Sequence, residues 1–370
     1  TRPLGFGLGA AETEETDPNF NQTVLLLHGD GTDGGQNNTY VDSSSNSHSI
    51  TRNGNTTQGT FSPFSLEDGY WSVYGDSADT DYVQYPIASL QALGSGVYTI
   101  EFWAYLTIPT SSSDWRPFFG ASNGAGANPK FNLHDAGSNQ LTLEDNGGTL
   151  FSTGSVRSQY TNQWCHIAVV REGTGTNQTH IYVNGSKEGT GTHDKDLSGI
   201  TSGGFRIGRN PEDHQEYLDG YISNFKMTAA VLYTGSSFTV PTSPLTLTSQ
   251  GSSSGDVKLL IHQSNRFLDN SSTGYAPTTV NTPKVVPFSP FAPTRAYSED
   301  AVGGSVYCDA AADYLSIAQT NTGDFELDGG TDWCVEFWLY MINPSASYAR
   351  VMQLDANSWA IRFDGGKIGL

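Results

Sequence analysis

Apolar and polar residues alternate with a period of two in several short runs, and no run of convincing length carries helical periodicity. Tyr98-Thr-Ile-Glu-Phe-Trp-Ala-Tyr-Leu106 places Tyr98, Ile100, Phe102, Ala104 and Leu106 on one face, as a strand against a core does. Trp164-Cys-His-Ile-Ala-Val-Val-Arg171 is the dense apolar run of a strand covered on both sides. His180-Ile-Tyr-Val-Asn-Gly-Ser-Lys-Glu188 predicts a hairpin, because Asn184-Gly185 supplies the two positive-φ residues of a type I′ turn. Phe205-Arg-Ile-Gly208 and Tyr217-Leu-Asp-Gly-Tyr-Ile-Ser-Asn-Phe-Lys-Met227 complete the set. Many short strands without long helices predict an all-β chain built as an antiparallel two-sheet sandwich.

The pattern repeats. Val24-Leu-Leu-Leu-His28 returns as Val257-Lys-Leu-Leu-Ile-His262, Ser72-Val-Tyr-Gly-Asp76 as Ser305-Val-Tyr-Cys-Asp309, and Glu101-Phe-Trp-Ala-Tyr105 as Glu336-Phe-Trp-Leu-Tyr340. A period this long marks a duplicated domain and not a solenoid. The expected organisation is an N-terminal arm over residues 1–20, a first domain over 21–247, a Pro/Ser/Gly-rich linker over 248–256, and the first half of a second copy over 257–370. The arm sets Pro3, Leu4, Phe6 and Leu8 among glycines, which suits an anchor on a neighbouring subunit. The second copy lacks counterparts of residues 144–247, which would leave Phe337, Trp338 and Tyr340 uncovered. Continuation past Leu370 is the expectation, with strand donation by a neighbouring chain or packing on the first domain as the alternatives.

Composition sharpens this picture. The 370 residues include 42 glycines, 12% aromatic and only 15% charged residues, the profile of strands joined by tight turns. A formal charge of −20 argues against nucleic-acid partners and against docking on an anionic membrane surface. No apolar run is long enough for a membrane-spanning helix, so no membrane insertion is expected. Three widely spaced cysteines do not make a disulfide framework.

Four segments carry a resemblance when taken in order. They are the Asp76…Asp81-Tyr82-Val83 region, the Thr99-Ile-Glu-Phe-Trp103 strand, Trp164–Val170 followed by Ile181-Tyr-Val-Asn-Gly185, and Ile207-Gly…Leu218-Asp-Gly-Tyr-Ile-Ser-Asn-Phe225. Their order resembles the concanavalin A-like laminin-G/pentraxin jelly roll over residues 24–247, with the first two recurring in 257–370. The opening Leu-Leu-Leu-His-Gly-Asp-Gly-Thr-Asp and the closing Val231-Leu-Tyr-Thr…Pro-Leu245 resemble repeat units of structural and fibre-like proteins of marine tailed phages. The resemblance implies tandem jelly rolls in a non-enzymatic virion protein, a fibre or capsid/tail appendage, displaying loops to a glycan or host surface. Other virion subunits would be its partners through the arm, within an oligomer or larger assembly. A secreted or cell-surface bacterial carbohydrate-binding protein is the alternative, and the binding part of a larger glycan-active enzyme is a third.

The candidate residues follow. Related glucanases place acid and nucleophile about 5–5.5 Å apart on Glu-x-Asp-x-x-Glu; here Trp103 stands where the middle Asp belongs, so catalysis is not expected. In pentraxin-like relatives the loop after the Ile-Gly strand supplies calcium ligands, a place held here by Asn210, Glu212 and Asp213. Asp219 is a cation contact in similar domains. Asp76, Asp79 and Asp81 crowd a second strand-end loop with the hard oxygens calcium prefers. Solvated turn acids are the competing reading of both groups. Trp103, Trp164 and Trp338 read as core, whereas Trp71, Trp115 and Tyr217 lie near strand ends and are candidates for stacking a ligand.

Overall fold

A computed structural model describes residues 20–29, 39–54, 56–62, 68–109, 113–124, 130–145, 148–212, 216–293, 304–308, 312–318, 325, 332–341, 349–354, 359–364 and 367–369. The arm over 1–19 and Asp213 lie outside these residues. The chain divides into two compact units: Thr1–His28, Thr39–Asn55 and Ala310–Leu370 in one, Gly29–Asn38 and Thr56–Asp309 in the other.

The strands run in chain order as β1 (Ile50–Asn53), β2 (Thr57–Gly59), β3 (Ser72–Gly75), β4 (Tyr82–Tyr85) and β5 (Tyr98–Leu106). A short helix, α1 (Ala88–Gln91), lies between β4 and β5. Then come β6 (Trp115–Ser122), β7 (Lys130–Ala136), β8 (Leu141–Asp145), β9 (Gly148–Ser152), β10 (Cys165–Arg171), β11 (Thr179–Val183) and β12 (Ser186–Gly191). Next are β13 (Phe205–Ile207), β14 (Gly220–Thr228), β15 (Val257–Ile261), β16 (Thr278–Val280) and β17 (Lys284–Val286). Last are β18 (Ser305–Tyr307), β19 (Tyr314–Ile317), β20 (Ala349–Leu354), β21 (Trp359–Asp364) and β22 (Lys367–Gly369).

The larger unit is the expected antiparallel sandwich. One sheet has the order β12-β11-β10-β5-β14-β3-β17 with β15 also on β14, and the other the order β16-β4-β13-β6-β7-β8-β9. Phe102, Phe118, Phe119, Phe131, Phe205 and Phe225 fill the space between them. The alternation in β5 is realised, with Tyr98, Ile100, Phe102, Ala104 and Leu106 all in this core. So is the hairpin between β11 and β12, where Asn184 and Gly185 take φ of 46° and 81°.

The opposite face of β5 is buried too, because the chain after β14 folds back over it. Tyr233 and Phe238 stack there at 3.6 Å, and Leu245 packs on Trp103. Glu101 is sealed beneath: its Oε2 accepts from Tyr233 Oη at 2.6 Å and faces His166 Nε2 at 3.2 Å, while Lys226 Nζ lies 3.9 Å from Oε1. A charge buried without such partners would cost several kcal/mol, so the network fixes the returning chain in place.

The expected linker over 248–256 is no boundary in the sheets. β15 pairs with the second half of β14, Leu260 opposite Lys226, in line with β3 on its first half. β16 pairs with β4 and β17 with β3. Residues 257–286, expected to open a second copy, therefore complete the first sandwich. Asn224, with φ of 51°, marks the junction, its Nδ2 donating to Gly69 O and its backbone N–H to His262 O.

The counterpart segment near the N-terminus has the same internal construction. Asp42 Oδ1 accepts from the N–H of Leu26 and Ser44, and Oδ2 from Ser44 Oγ and His48 N. Asp269 Oδ1 likewise accepts from Leu260 and Ser271, and Oδ2 from Ser271 Oγ and Tyr275 N. In the smaller unit β1 pairs with β19, Asn53 opposite Tyr314. In the larger unit β2 pairs with β18, Gln58 opposite Val306. β20, β21 and β22 form a three-stranded antiparallel sheet. Trp338, read as core, is 75% exposed, and Phe337 and Tyr340 beside it are exposed too.

Candidate functional site

The outward face of β7 carries the densest unusual chemistry. Phe131 and Leu133 point into the core, so Lys130, Asn132 and His134 point out by the period of the strand. Asp135 turns inward and holds that alternation: the buried Arg157 pairs with it and Tyr160 Oη donates to it at 2.8 Å. Register places Gly120 of β6 beside Asn132, and Glu144 of β8 on its other side.

These outward side chains are nonetheless covered. The indole of Trp115 stacks on the His134 imidazole, centroids 4.6 Å apart and planes 12° apart. His134 is 1% exposed while Trp115 is 41% exposed, so the indole presents its other side to solvent. The loop after β13 brings Pro211 over Gly120, where a Cβ would sit 2.8 Å from the proline ring. Burial lowers the His134 pKa despite the nearby Glu144 carboxylate. Asn132 Nδ2 meets His134 Nδ1 at 3.0 Å, leaving Asn132 Oδ1 and His134 Nε2 buried without hydrogen-bond partners. Arg116 Nε is a third such atom; its other nitrogens donate to Tyr217 O at 3.2 Å and to Asp114 at 3.0 Å. Three unsatisfied polar atoms around one stacked indole are costly unless a ligand completes them.

Trp115 and Tyr217 are thus brought together through Arg116. Beyond them Arg209 lies over the rings of Tyr82 and Tyr217, at 4.8 and 5.6 Å, and donates to Tyr82 Oη. Trp71 does not join them. It is wholly buried in the sandwich core, so the expectation that it stacks a ligand is corrected: a strand-end position does not reveal that the returning chain and β14 close over it.

The acidic loops hold the calcium candidates. Glu212 and Glu144 both pair with Lys130, Nζ lying 2.5 and 3.1 Å from their carboxylates. Burial alone would lower the Lys130 pKa, but these bonds hold it above the usual value. An ammonium of the protein thus takes the cation's place beside Glu212. Asn210 Oδ1 caps Glu212 N and its Nδ2 donates to Glu216, which closes the loop on itself. Asp76, Asp81 and Asp219 gather near Tyr74, whose phenol is pushed up to about 12 by burial and by these carboxylates. Their oxygens, however, accept from protein donors: Asp76 from Ala78 N, Asp81 from the N–H of Asp76 and Thr282, Asp219 from Thr107 Oγ1. Asp79 is exposed on the same turn. Among the described residues no three acidic, histidine or cysteine side chains converge in a way that holds a metal ion. Calcium needs six to eight oxygens turned toward one point, and these loops turn theirs toward N–H and O–H groups.

His134, Asn132, Lys130 and Arg116 were not among the sequence candidates. The available signal was the alternation Lys130-Phe-Asn-Leu-His134, where the polar positions carry an ammonium, an amide and an imidazole in place of the Thr and Ser of a solvated face.

Residues 76–233 match the family described as Laminin G, concanavalin A-like lectin/glucanases superfamily. Similar solved structures include a candidate carbohydrate-binding protein from Bacteroides ovatus, 16% identical over 59% of this chain and 62% of that one, with a TM-score of 0.39. The CBM40 of Ruminococcus gnavus IT-sialidase, solved with α2,3-sialyllactose, is 16% identical over 45% of this chain and 95% of its own, with a TM-score of 0.34. The heptameric SAP-like pentraxin of Limulus polyphemus is 12% identical over 59% and 98%, with a TM-score of 0.33. None of these likenesses bears on ligand or activity. No curated protein matches the chain.

Proposed function

We propose that the sandwich is a non-catalytic carbohydrate-binding domain whose sugar lies on the outward face of β6 and β7. The observation that carries this reading is the half-exposed Trp115 indole, held flat by a buried His134 and bordered by three buried polar atoms without partners. An indole face accepts the apolar face of a pyranose ring, and fixed donors and acceptors at its margin orient the hydroxyls. Non-catalytic action is supported by Glu101, which is fully buried beneath Tyr233, and by Lys130, which bridges Glu144 and Glu212.

The test is a glycan array followed by calorimetry on the strongest hit. Trp115→Ala should weaken binding at least about tenfold, and His134→Ala should weaken it further by releasing the indole. Because Trp115 is half-exposed, the melting temperature of Trp115→Ala should stay within about 2 °C of the parent. Undiminished binding by Trp115→Ala would discard this site.

The setting we infer is a virion fibre or appendage, supported by the resemblance of the opening and closing motifs to phage structural repeats. The arm over residues 1–20 would anchor the chain to other virion subunits there. Deleting residues 2–18 should leave a folded sandwich that no longer enters the assembly; normal incorporation would remove that role.

A further inference from the structure

Glu101 and Lys226 stand directly opposite each other in the β5–β14 pair, and both are wholly buried. No hydrogen bond joins them. Lys226 Nζ lies 3.9 Å from Glu101 Oε1, and that oxygen has no hydrogen-bond partner among the described residues. Two opposite charges buried at such a separation keep much of their desolvation cost. Burial lowers the Lys226 pKa against the opposing pull of the Glu101 carboxylate. The amine therefore reaches its neutral, nucleophilic form more readily than a solvated lysine.

The groups around the pair suit a carboxyl that loses an oxygen. Glu101 Oε2 accepts from Tyr233 Oη at 2.6 Å and meets His166 Nε2 at 3.2 Å, so two protic groups converge on one carboxyl oxygen and leave the other bare. On the amine side, Lys226 Nζ donates to Ser249 O and Ser249 Oγ at 3.1 Å and to Ser252 Oγ at 2.9 Å. Each hydroxyl gives its own proton to a carbonyl, Ser249 to Thr246 O and Ser252 to Leu247 O. Neither is stranded when the amine gives up protons. The stacked Tyr233 and Phe238 rings lie edge-on to His166, and Glu101, His166 and Lys226 are all closed to bulk water.

We propose that Lys226 and Glu101 condense to an amide, a covalent staple between β5 and β14 that the chain forms by itself once folded. The ammonium first passes one proton to the carboxylate, which gives a neutral amine and a neutral acid. The Nζ lone pair then forms a bond to Glu101 Cδ while the Cδ–Oε2 bond breaks, its electron pair leaving with Oε2. Oε2 departs as water with the carboxyl proton and one proton from Nζ, the latter passed by way of the His166 imidazole that faces it. One positive and one negative charge disappear together, and no oxidant, reductant or cofactor is consumed. The remaining Nζ–H still has Ser249 O to donate to. Fixed opposite each other on neighbouring strands, the two groups react as an intramolecular pair, and exclusion of water opposes hydrolysis of the product.

The test is the intact mass of the full chain, measured after denaturation. The parent should be lighter than its sequence by one water. Trypsin should fail to cut after Lys226 and should release one branched peptide joining residues 53–130 to residues 210–258. Lys226→Met and Glu101→Ala should each restore the full mass. So should Lys226→Arg, which keeps the positive charge but cannot give up its proton. Tyr233→Phe keeps the ring stack but removes the hydrogen bond to the leaving oxygen, so condensed chain should accumulate at least about tenfold more slowly after refolding. An ion pair that stays noncovalent gives a parent of full mass; that result, in protein that melts cooperatively, overturns the proposal. A missing water that persists in Lys226→Met places the loss elsewhere in the chain and overturns it equally.

Discussion

The two modules clasped by Asp42 and Asp269 share a sequence pattern and a hydrogen-bond set, yet one is core and the other is half surface. Leu260 is 2% exposed against β14, while its counterpart Leu26 is only partly buried. The difference lies in the partner. β14 offers the second module a continuous edge, and the first module has a short ladder with β19. A local motif therefore determines how a segment folds on itself, and the edge it meets determines how much stability that folding contributes.

The sharpest break of this comparison is to remove each clasp in turn. Asp269→Ala would strand the buried N–H groups of Leu260, Ser271 and Tyr275, at about 1–3 kcal/mol each where no water replaces the carboxylate. A fall of about 10 °C or more in the melting temperature of the sandwich is expected, since about 1 kcal/mol moves a domain of this size by some 2–4 °C. Asp42→Ala should move that transition by less than about 1 °C, because its partners lie in the other unit. Equal losses would show that the modules are energetically alike after all. Truncation of the apolar residue beside each clasp is the next step down. Leu260→Ala should cost about 2–4 kcal/mol in chemical denaturation, and Leu26→Ala below about 1 kcal/mol.

This comparison also shows what the sequence could and could not carry. The alternation of β5, the Asn184-Gly185 turn and the duplication were legible because each is local or a matter of matching one stretch to another. The closure of the first sandwich by residues 257–286 was not. Ladder bonds are made by backbone groups common to all residues, so two near-identical modules cannot declare which edge they join. Trp71 was misplaced for a related reason, since burial depends on the chain that returns after β14. At the candidate site, Trp115 and Tyr217 were visible as strand-end aromatics. His134 and Asn132 were hidden, because an outward-facing polar alternation looks solvated until an indole and a proline from other elements cover it. The pairing of Glu212 with Lys130, 82 positions earlier in the chain, was equally hidden, because no local pattern announces it.

Acid should separate the modules next. His262, in the second, is pushed down to about 3 by burial, while its counterpart His28 is exposed. The folded state therefore holds His262 neutral, and the unfolded chain binds a proton near pH 6.5. The stability this neutrality provides is complete above pH 6.5 and is lost progressively as pH falls from 6.5 toward 3. His193, also pushed down to about 3 by burial and Arg171, adds in the same window. The sandwich should lose melting temperature steadily below pH 6.5. His262→Leu should flatten that dependence and lower the midpoint of acid unfolding by about half a pH unit, with His28→Leu leaving it unchanged. A pH profile identical in His262→Leu would mean that the ring is hydrated in solution.

The smallest expected effect concerns the acids themselves. Asp42, Asp269 and Asp81 share one habit: each is nearly buried and turns its oxygens to backbone N–H groups. For Asp42, burial raises the pKa, but the N–H groups of Leu26, His48 and Ser44 outweigh it and hold the carboxylate below its usual range. Carboxylates satisfied in this way gain little from a divalent cation, which would have to displace those bonds and find further oxygens nearby. A ligand that binds the native state raises stability by mass action, by about 2.7 kcal/mol at a hundredfold excess over its dissociation constant. Millimolar calcium added after chelation should accordingly shift the melting temperature by less than about 1 °C, in the parent and in Asp42→Ala alike. The sandwich transition of Asp269→Ala should be just as insensitive, because the stranded N–H groups repel a cation. A calcium-dependent rise of several degrees in the parent would place oxygen ligands in the acidic loops that the described side chains do not provide, and would return Asp76, Asp219 and Glu212 to the list of ligands.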